Sequence, residues 1–451
     1  MGGQSSSARL RTLAAGNGVM ARLVRGVLGS GGVWVLRLAM TLGMSFLLGH
    51  LLGPTEYGRY AYLVASVTLF APLCSLGYDM LAAREFASAR AGGDAAEEAA
   101  LAHTLPTAVW KNAAIVMLVF IPATMAYNAW RQQPWGTIVL LEATGVVLTA
   151  QLRLVQGSLR GLGRVSQGQL YQLILPPLLN LALFATALIA LRPSADLAIV
   201  TFVAGLVIAY PLGARAVRRA ASAHDVAASA ETRKLWARSA MVLGVTQIMF
   251  VANEQVPVVV TGLLGSSTEV GLLDMARRFA LFASIALNVI ALPLGPILAE
   301  MYRKGDMEAF RRVSLQTTYA GVGISISITL AYLACGRWLL HLIDPEFSAA
   351  YGAMLVMCLG YVINTMTGPV PLALTMTGFE RDAVKGIVGG IIVNLAACVI
   401  LVPLIGHMGA AVGSVLGQFV WNSILAVLVR RRLGMALDIL ALFERRGRAV
   451  A

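Results

Sequence analysis

Apolar runs of about twenty residues recur along the 451-residue chain, and this recurrence constrains its fold more than any other feature. A helix needs ~20 such residues to cross the hydrocarbon of a bilayer. Twelve windows meet that length: 31–52, 60–83, 111–130, 137–157, 170–191, 195–214, 240–264, 270–298, 315–336, 351–375, 386–405 and 408–429. The runs are continuously apolar and do not alternate with period two, which selects helices over a barrel. Composition agrees: 58% of residues are hydrophobic and 13% charged, against roughly 25% charged in soluble domains. The expected fold is all-α and integral to a membrane, with about twelve transmembrane helices.

The net charge of +13 does not point to nucleic acid, because the basic residues lie between apolar runs and form no separate domain. Basic residues in loops orient membrane proteins, with the richer side cytoplasmic. With the N-terminus inside, Arg84, Arg90, Lys111, Arg160, Arg164, Arg215, Arg233, Lys234, Arg303, Arg381 and Arg430 share the cytoplasmic side. Arg59, Arg131, Arg192 and Arg337 fall outside. Both termini are therefore expected to be cytoplasmic. The first apolar run lacks a small-residue cleavage site and reads as a retained helix. Cys74, Cys335, Cys358 and Cys398 lie in or near apolar segments without metal or redox spacing, as small buried hydrophobes do. The sequence has no GxxxxGK[ST] loop, HExxH or Cys/His set, so no cofactor, metal or ATP site is expected.

Polar punctuation repeats. "LLGPTEYG" follows the first span and "LLGSSTEVG" the seventh; "LRGLGR" and "MTGFER" each separate the fourth and fifth spans of a half. Both pairs are offset by 212 to 217 residues. Six helices is an even number, so the second half enters from the same side as the first, as in parallel-repeat transporters. The expected plan is an N-terminal segment 1–30, a six-helix lobe 31–214, a basic linker 215–238, a second lobe 239–430 and a tail 431–451.

Ionisable residues inside apolar windows need a reason, since a charge at the bilayer centre costs at least ~2.5–3.5 kcal/mol. Arg37 either snorkels or contacts an anion. Asp79 has Arg84 close in sequence as an interfacial partner. Glu142 and Arg153 are eleven residues apart, so they share a helix face but stand ~16 Å apart and each needs another partner. Glu254 lies mid-span beside Asn253, Gln255 and the helix-weakening Pro257. Asp274 can neutralise Arg277 at i+3 or Arg278 at i+4, leaving a spare guanidinium suited to a diphosphate. Arg37, Glu142, Arg153, Arg277 and Arg278 are thus the candidate substrate-binding set, and Glu254, Asp274 and Asp79 the candidate ion-coupling set. Isolated polar residues such as His50, His341, Asn288, Asn364 and Asn394 are expected to bond between helices.

Three stretches together resemble a known family over about residues 30 to 430. They are "LLGPTEYGRYAYLVASVTLFAPLCSLGYDMLAAREFA", "LLGSSTEVGLLDMARRFALFASIALNVIALPLGPILAEMYRKGDMEAFRRV" and "GFERDAVKGIVGGIIVNLAACVILVPLIGHMGAAVGSVLGQ". They resemble the polysaccharide-transport proteins, oligosaccharide flippases of the multidrug/oligosaccharidyl-lipid/polysaccharide exporter superfamily. The resemblance implies two lobes around a central cavity, a multi-pass protein of the bacterial inner membrane, and movement of a polyprenyl-diphosphate-linked oligosaccharide between leaflets. Without an ATP site, such transport would be driven by a proton or sodium gradient or by downstream consumption of the flipped product; the expected partners are membrane lipids, polysaccharide polymerases and glycosyltransferases, and no enzymatic activity is expected. Where the family's seventh span often carries an Asp, this chain has Pro257, with Glu254 one turn earlier. A cation-coupled drug exporter would prefer a cavity of acids and aromatics. A membrane glycosyltransferase would need a long external loop, and a nontransporting scaffold would need no unpaired intramembrane charges.

Overall fold

The computed structural model describes residues 19–130, 136–221 and 228–439, with side chains among them except at 19–38, 136–137 and 285–293. The N-terminal stretch 1–18, the core of the expected linker and the end of the tail lie outside the described residues. Among the described residues there is helix and no strand.

The helices follow the order of the twelve apolar windows. They are α1 (Val19–Ser75), α2 (Tyr78–Gly92), α3 (Ala95–Trp130), α4 (Gly136–Gly161) and α5 (Val165–Ala187). Next come α6 (Ala195–Ala220), α7 (Ala230–Leu264), α8 (Ser267–Ala280) and α9 (Ile285–Arg303). The remainder are α10 (Met307–Ile343), α11 (Tyr351–Met366), α12 (Val370–Met376), α13 (Glu380–Ile405) and α14 (His407–Leu433). Nine helical segments among the described residues are long and apolar enough to cross a membrane, or ten when a bent pair counts as one span.

Local sequence explains the departures from simple spans. α1 holds two passes joined at Gly53, whose φ of 68° suits a residue without Cβ. The second pass bends by 50° between Ser75 and Tyr78. The third starts at Ala95, not at the expected 111: Glu97 and Glu98 suit a helix N-terminus, and the helix continues through Pro106. In α5 a π turn at Leu170–Ile174 precedes Pro176 and Pro177, which cannot donate backbone bonds. The eighth window is interrupted by a 3₁₀ turn at Leu281–Ser284. Side-chain caps fix other starts: Ser194 accepts from the Leu197 amide, Ser229 from Thr232 and Asp306 from Ala309. Only 221–229 separate α6 from α7, so most of the expected linker at 215–238 is helical.

The chain forms two compact units, Met44–Gly271 and Leu272–Ala451 together with Met1–Gly43. In the first, the two copies of the repeated punctuation meet. Thr55 and Thr268 hydroxyls lie 2.8 Å apart, 213 positions apart in sequence. A Cβ at Gly58 would collide with the Ser267 carbonyl, and one at Gly271 with the Pro54 carbonyl. Glycine at both places therefore lets one backbone lie directly on the other, as small residues do between membrane helices. At the other end of this unit, Arg90 is bonded to Glu98 and donates to the carbonyls of Leu162 and Ala220. Those carbonyls close α4 and α6, so one guanidinium joins the ends of two helices.

In the second unit, α9, α10, α12 and α14 bury Leu298, Phe310, Leu374 and Leu425 in one cluster. Asp382 at the start of α13 receives Lys385 at 2.7 Å and Arg432 at 2.8 Å. Asn422 donates to Asn364 and accepts from Thr367 across α11 and α14. Asn364 is thus a helix–helix bonder, as its placement implied. Buried Asn394 accepts from the Cys398 thiol within α13.

Candidate functional site

The ionisable residues inside the bundle are paired in ways that chain proximity does not reveal. Asp79 lies on the first turn of α2, just past the bend, and is buried. Its partner is Arg153 of α4, at 3.1 Å. The expected partner, Arg84, bonds Glu85 instead. Residues five apart stand about 140° apart around a helix, so Arg84 faces away from Asp79. One polar atom on each partner, Asp79 Oδ1 and Arg153 Nε, is buried without a hydrogen bond.

Glu142 is only 5% exposed. It accepts from the Ser66 hydroxyl of α1. Three helical turns separate it from Arg153, and each takes a partner from a different helix, as the spacing required. Glu142 also lines a cavity of about 70 Å³ with Arg59, Tyr62, Tyr127 and Asn128. At ~30 Å³ per water, that is room for about two waters. A carboxylate, a phenol and a guanidinium around so small a space suit a proton or small cation better than a sugar phosphate. Arg59 is fixed by Glu56 at 2.9 Å and Asp196 at 3.0 Å, and Glu56 also accepts from the Ala195 amide.

A second polar group in this unit was not singled out from the sequence. Asn180 donates to Tyr60 at 3.2 Å and accepts from Thr201 at 2.9 Å, and Asn180 and Thr201 are buried. The signal was an Asn three residues after a double proline inside an apolar run.

In the second unit Asp274 of α8 is 1% exposed. Arg277 reaches one carboxylate oxygen at 2.7 Å and Arg278 the other at 2.5 Å. The expectation of one spare guanidinium is corrected: i+3 and i+4 share a face, and the two oxygens take one Arg each. The trio still carries one positive charge more than it neutralises. Glu254 of α7 is exposed and does not line the Glu142 cavity. The side chain of Arg37 lies outside the described residues. Among the described residues no three His, Cys, Asp or Glu side chains gather for a metal.

Residues 23–302 match the family model described as polysaccharide biosynthesis protein, which is more than half the chain. The chain belongs to the polysaccharide biosynthesis protein family. All eight singled-out residues of this family member, from Arg37 to Arg278, fall inside the matched region. No curated protein matches the chain. Solved structures give the family member its fold. A MATE multidrug-resistance transporter of the MOP superfamily, in an inward-facing conformation, aligns with TM-score 0.74 at 14% identity over 88% of this chain and 94% of its own. An outward-facing structure of a MATE family transporter aligns with TM-score 0.60 at 15% identity over 94% and 97%. A MATE transporter mutant of Vibrio cholerae aligns with TM-score 0.61 at 14% identity over 96% and 99%. The polysaccharide biosynthesis protein thus has the two-lobed helical membrane fold of the MATE transporters.

Proposed function

We propose that the protein is a flippase that moves a polyprenyl-diphosphate-linked oligosaccharide from the cytoplasmic to the outer leaflet of the bacterial inner membrane. The observation that carries this reading is membership of a family described by polysaccharide biosynthesis, in a chain whose fold is that of transporters. Sugars and a diphosphate cannot cross hydrocarbon bare, and such a cargo needs a polar passage while its lipid tail stays in the bilayer. Two six-helix lobes, 31–214 and 239–430, alternate access to the two sides, with both termini in the cytoplasm. Arg277 and Arg278, held by Asp274 and carrying one net charge, meet the diphosphate. Glu142, beside a space for about two waters, takes the coupling proton or cation. Arg153 and Asp79 hold the interior of the first lobe together.

A strain without the gene should accumulate lipid-linked oligosaccharide on the cytoplasmic face and lose surface polysaccharide. Normal surface polysaccharide, in a strain with no second homologue, would overturn the proposal. The fold itself favours a second reading, export of cationic drugs coupled to an ion. That reading predicts raised drug sensitivity in the same strain with polysaccharide unchanged.

A further inference from the structure

The first compact unit holds a second cavity, far larger than the one at Glu142. It measures about 390 Å³, within the ~300–1,000 Å³ of ligand clefts. Its walls come from α3 and the first turns of α7, with Tyr78 of α2. Lys111, Arg233 and Lys234 line it, and no acidic side chain does. Among the described residues none of the three makes an ion pair. Four other basic residues of the unit, Arg59, Arg84, Arg90 and Arg153, each have a carboxylate. Three unneutralised cations around one space repel each other unless an anion joins them.

Further donors face the same space. Asn112 Nδ2 is buried and has no hydrogen-bond partner, and Asn112 lines the cavity. Ala230, the first residue of α7, lines it too, so the positive end of that helix points at the site.

The position of the cavity selects the anion. Along α3, Lys111 follows exposed Trp110 and is succeeded by exposed Ile115, Leu118 and Val119. Along α7, exposed Leu235, Met241 and Val242 follow Lys234. Both helices pass from cationic to exposed apolar surface within two turns, with exposed Trp110 at the change on α3, as at a headgroup layer. We propose that this cavity binds the phosphate of a lipid, with the acyl or prenyl chain lying against the apolar faces of α3 and α7. The shared chemistry is a lipid-borne phosphate; its source is an anionic phospholipid of the leaflet or a prenyl diphosphate. The site stands whether or not the cargo assignment above does.

Purified full-length protein in neutral detergent would be titrated with a phosphatidylglycerol, farnesyl diphosphate, inorganic pyrophosphate and diacylglycerol, with bound species counted by native mass spectrometry. At least one of the first two should bind saturably and more tightly than diacylglycerol. The triple variant Lys111→Gln, Arg233→Gln, Lys234→Gln should weaken that binding about a hundredfold, since each cation near a membrane surface contributes about a fivefold factor. Loss for phosphatidylglycerol alone identifies a resident phospholipid, and loss for farnesyl diphosphate alone identifies a prenyl diphosphate; either supports the site. Pyrophosphate binding as tightly as both lipids would make it a soluble-anion site and overturn the proposal. Unchanged lipid binding in the triple variant, or no saturable binding, would do the same. Should the triple variant fail to fold, Lys111→Glu alone carries the test, with a loss of about thirtyfold expected.

Discussion

At the scale of single residues, the bundle's charges are mostly spoken for, and their partners decide what substitution does. Removing one member of a buried ion pair leaves the other uncompensated, which costs about 3–5 kcal/mol. Arg153→Gln should therefore lower the melting temperature of the purified protein sharply. The double variant Asp79→Asn, Arg153→Gln should recover most of the loss, which a scanning thermal assay would show. Glu142→Gln is expected to behave differently. Gln keeps an acceptor for Ser66, so folding persists, while cargo movement driven by a proton or cation gradient in proteoliposomes should stop. Flux equal to wild type would remove Glu142 from coupling. The presence of these charges was legible in the sequence, because an ionisable residue in an apolar window is conspicuous. Their partners were not. Arg153 lies 74 positions from Asp79, and only the fold brings them together.

At the scale of helices, the meeting of α1 with α8 rests on two glycines. A side chain at either position overpacks a backbone contact, and overpacking typically costs about 1–3 kcal/mol. Gly58→Val and Gly271→Val should each lower the melting temperature by a comparable amount, while Gly323→Val, inside α10 with open space around it, should be milder. Equal effects at Gly323 and Gly58 would refute the contact. The windows were legible as helices because apolarity runs unbroken through them. The bend after Ser75 and the 3₁₀ turn before Ile285 were not, because each lies inside an apolar run and hydropathy does not register backbone direction. The early start of α3 was hidden for the opposite reason. Residues 95–110 are too polar to count as membrane-spanning and Pro106 reads as a break, yet the helix runs through it.

At the scale of the whole molecule, the repeated punctuation has a mechanical meaning. If the repeats part at Thr55 and Thr268 during each cycle, then Thr55→Cys with Thr268→Cys should form a disulfide on oxidation that halts transport, and a reductant should restore it. Transport that continues through the oxidised state, with cross-linking verified on gels, would show that this contact stays shut throughout. The repeat itself was visible as short phrases recurring at similar offsets, but that the first two phrases touch was not, since internal similarity carries no distance.

The grip of Arg90 on the ends of α4 and α6 bears on how the protein sits in its lipid. Two membrane helices finish at the same level and share one charged anchor. Sliding either of them outward by a turn would drag a guanidinium toward hydrocarbon and strip carbonyls of their donor. The anchor therefore acts as a depth stop. In a bilayer of unmatched thickness this bundle is expected to tilt as a block, or to deform the lipid around it, before its individual helices shift past one another.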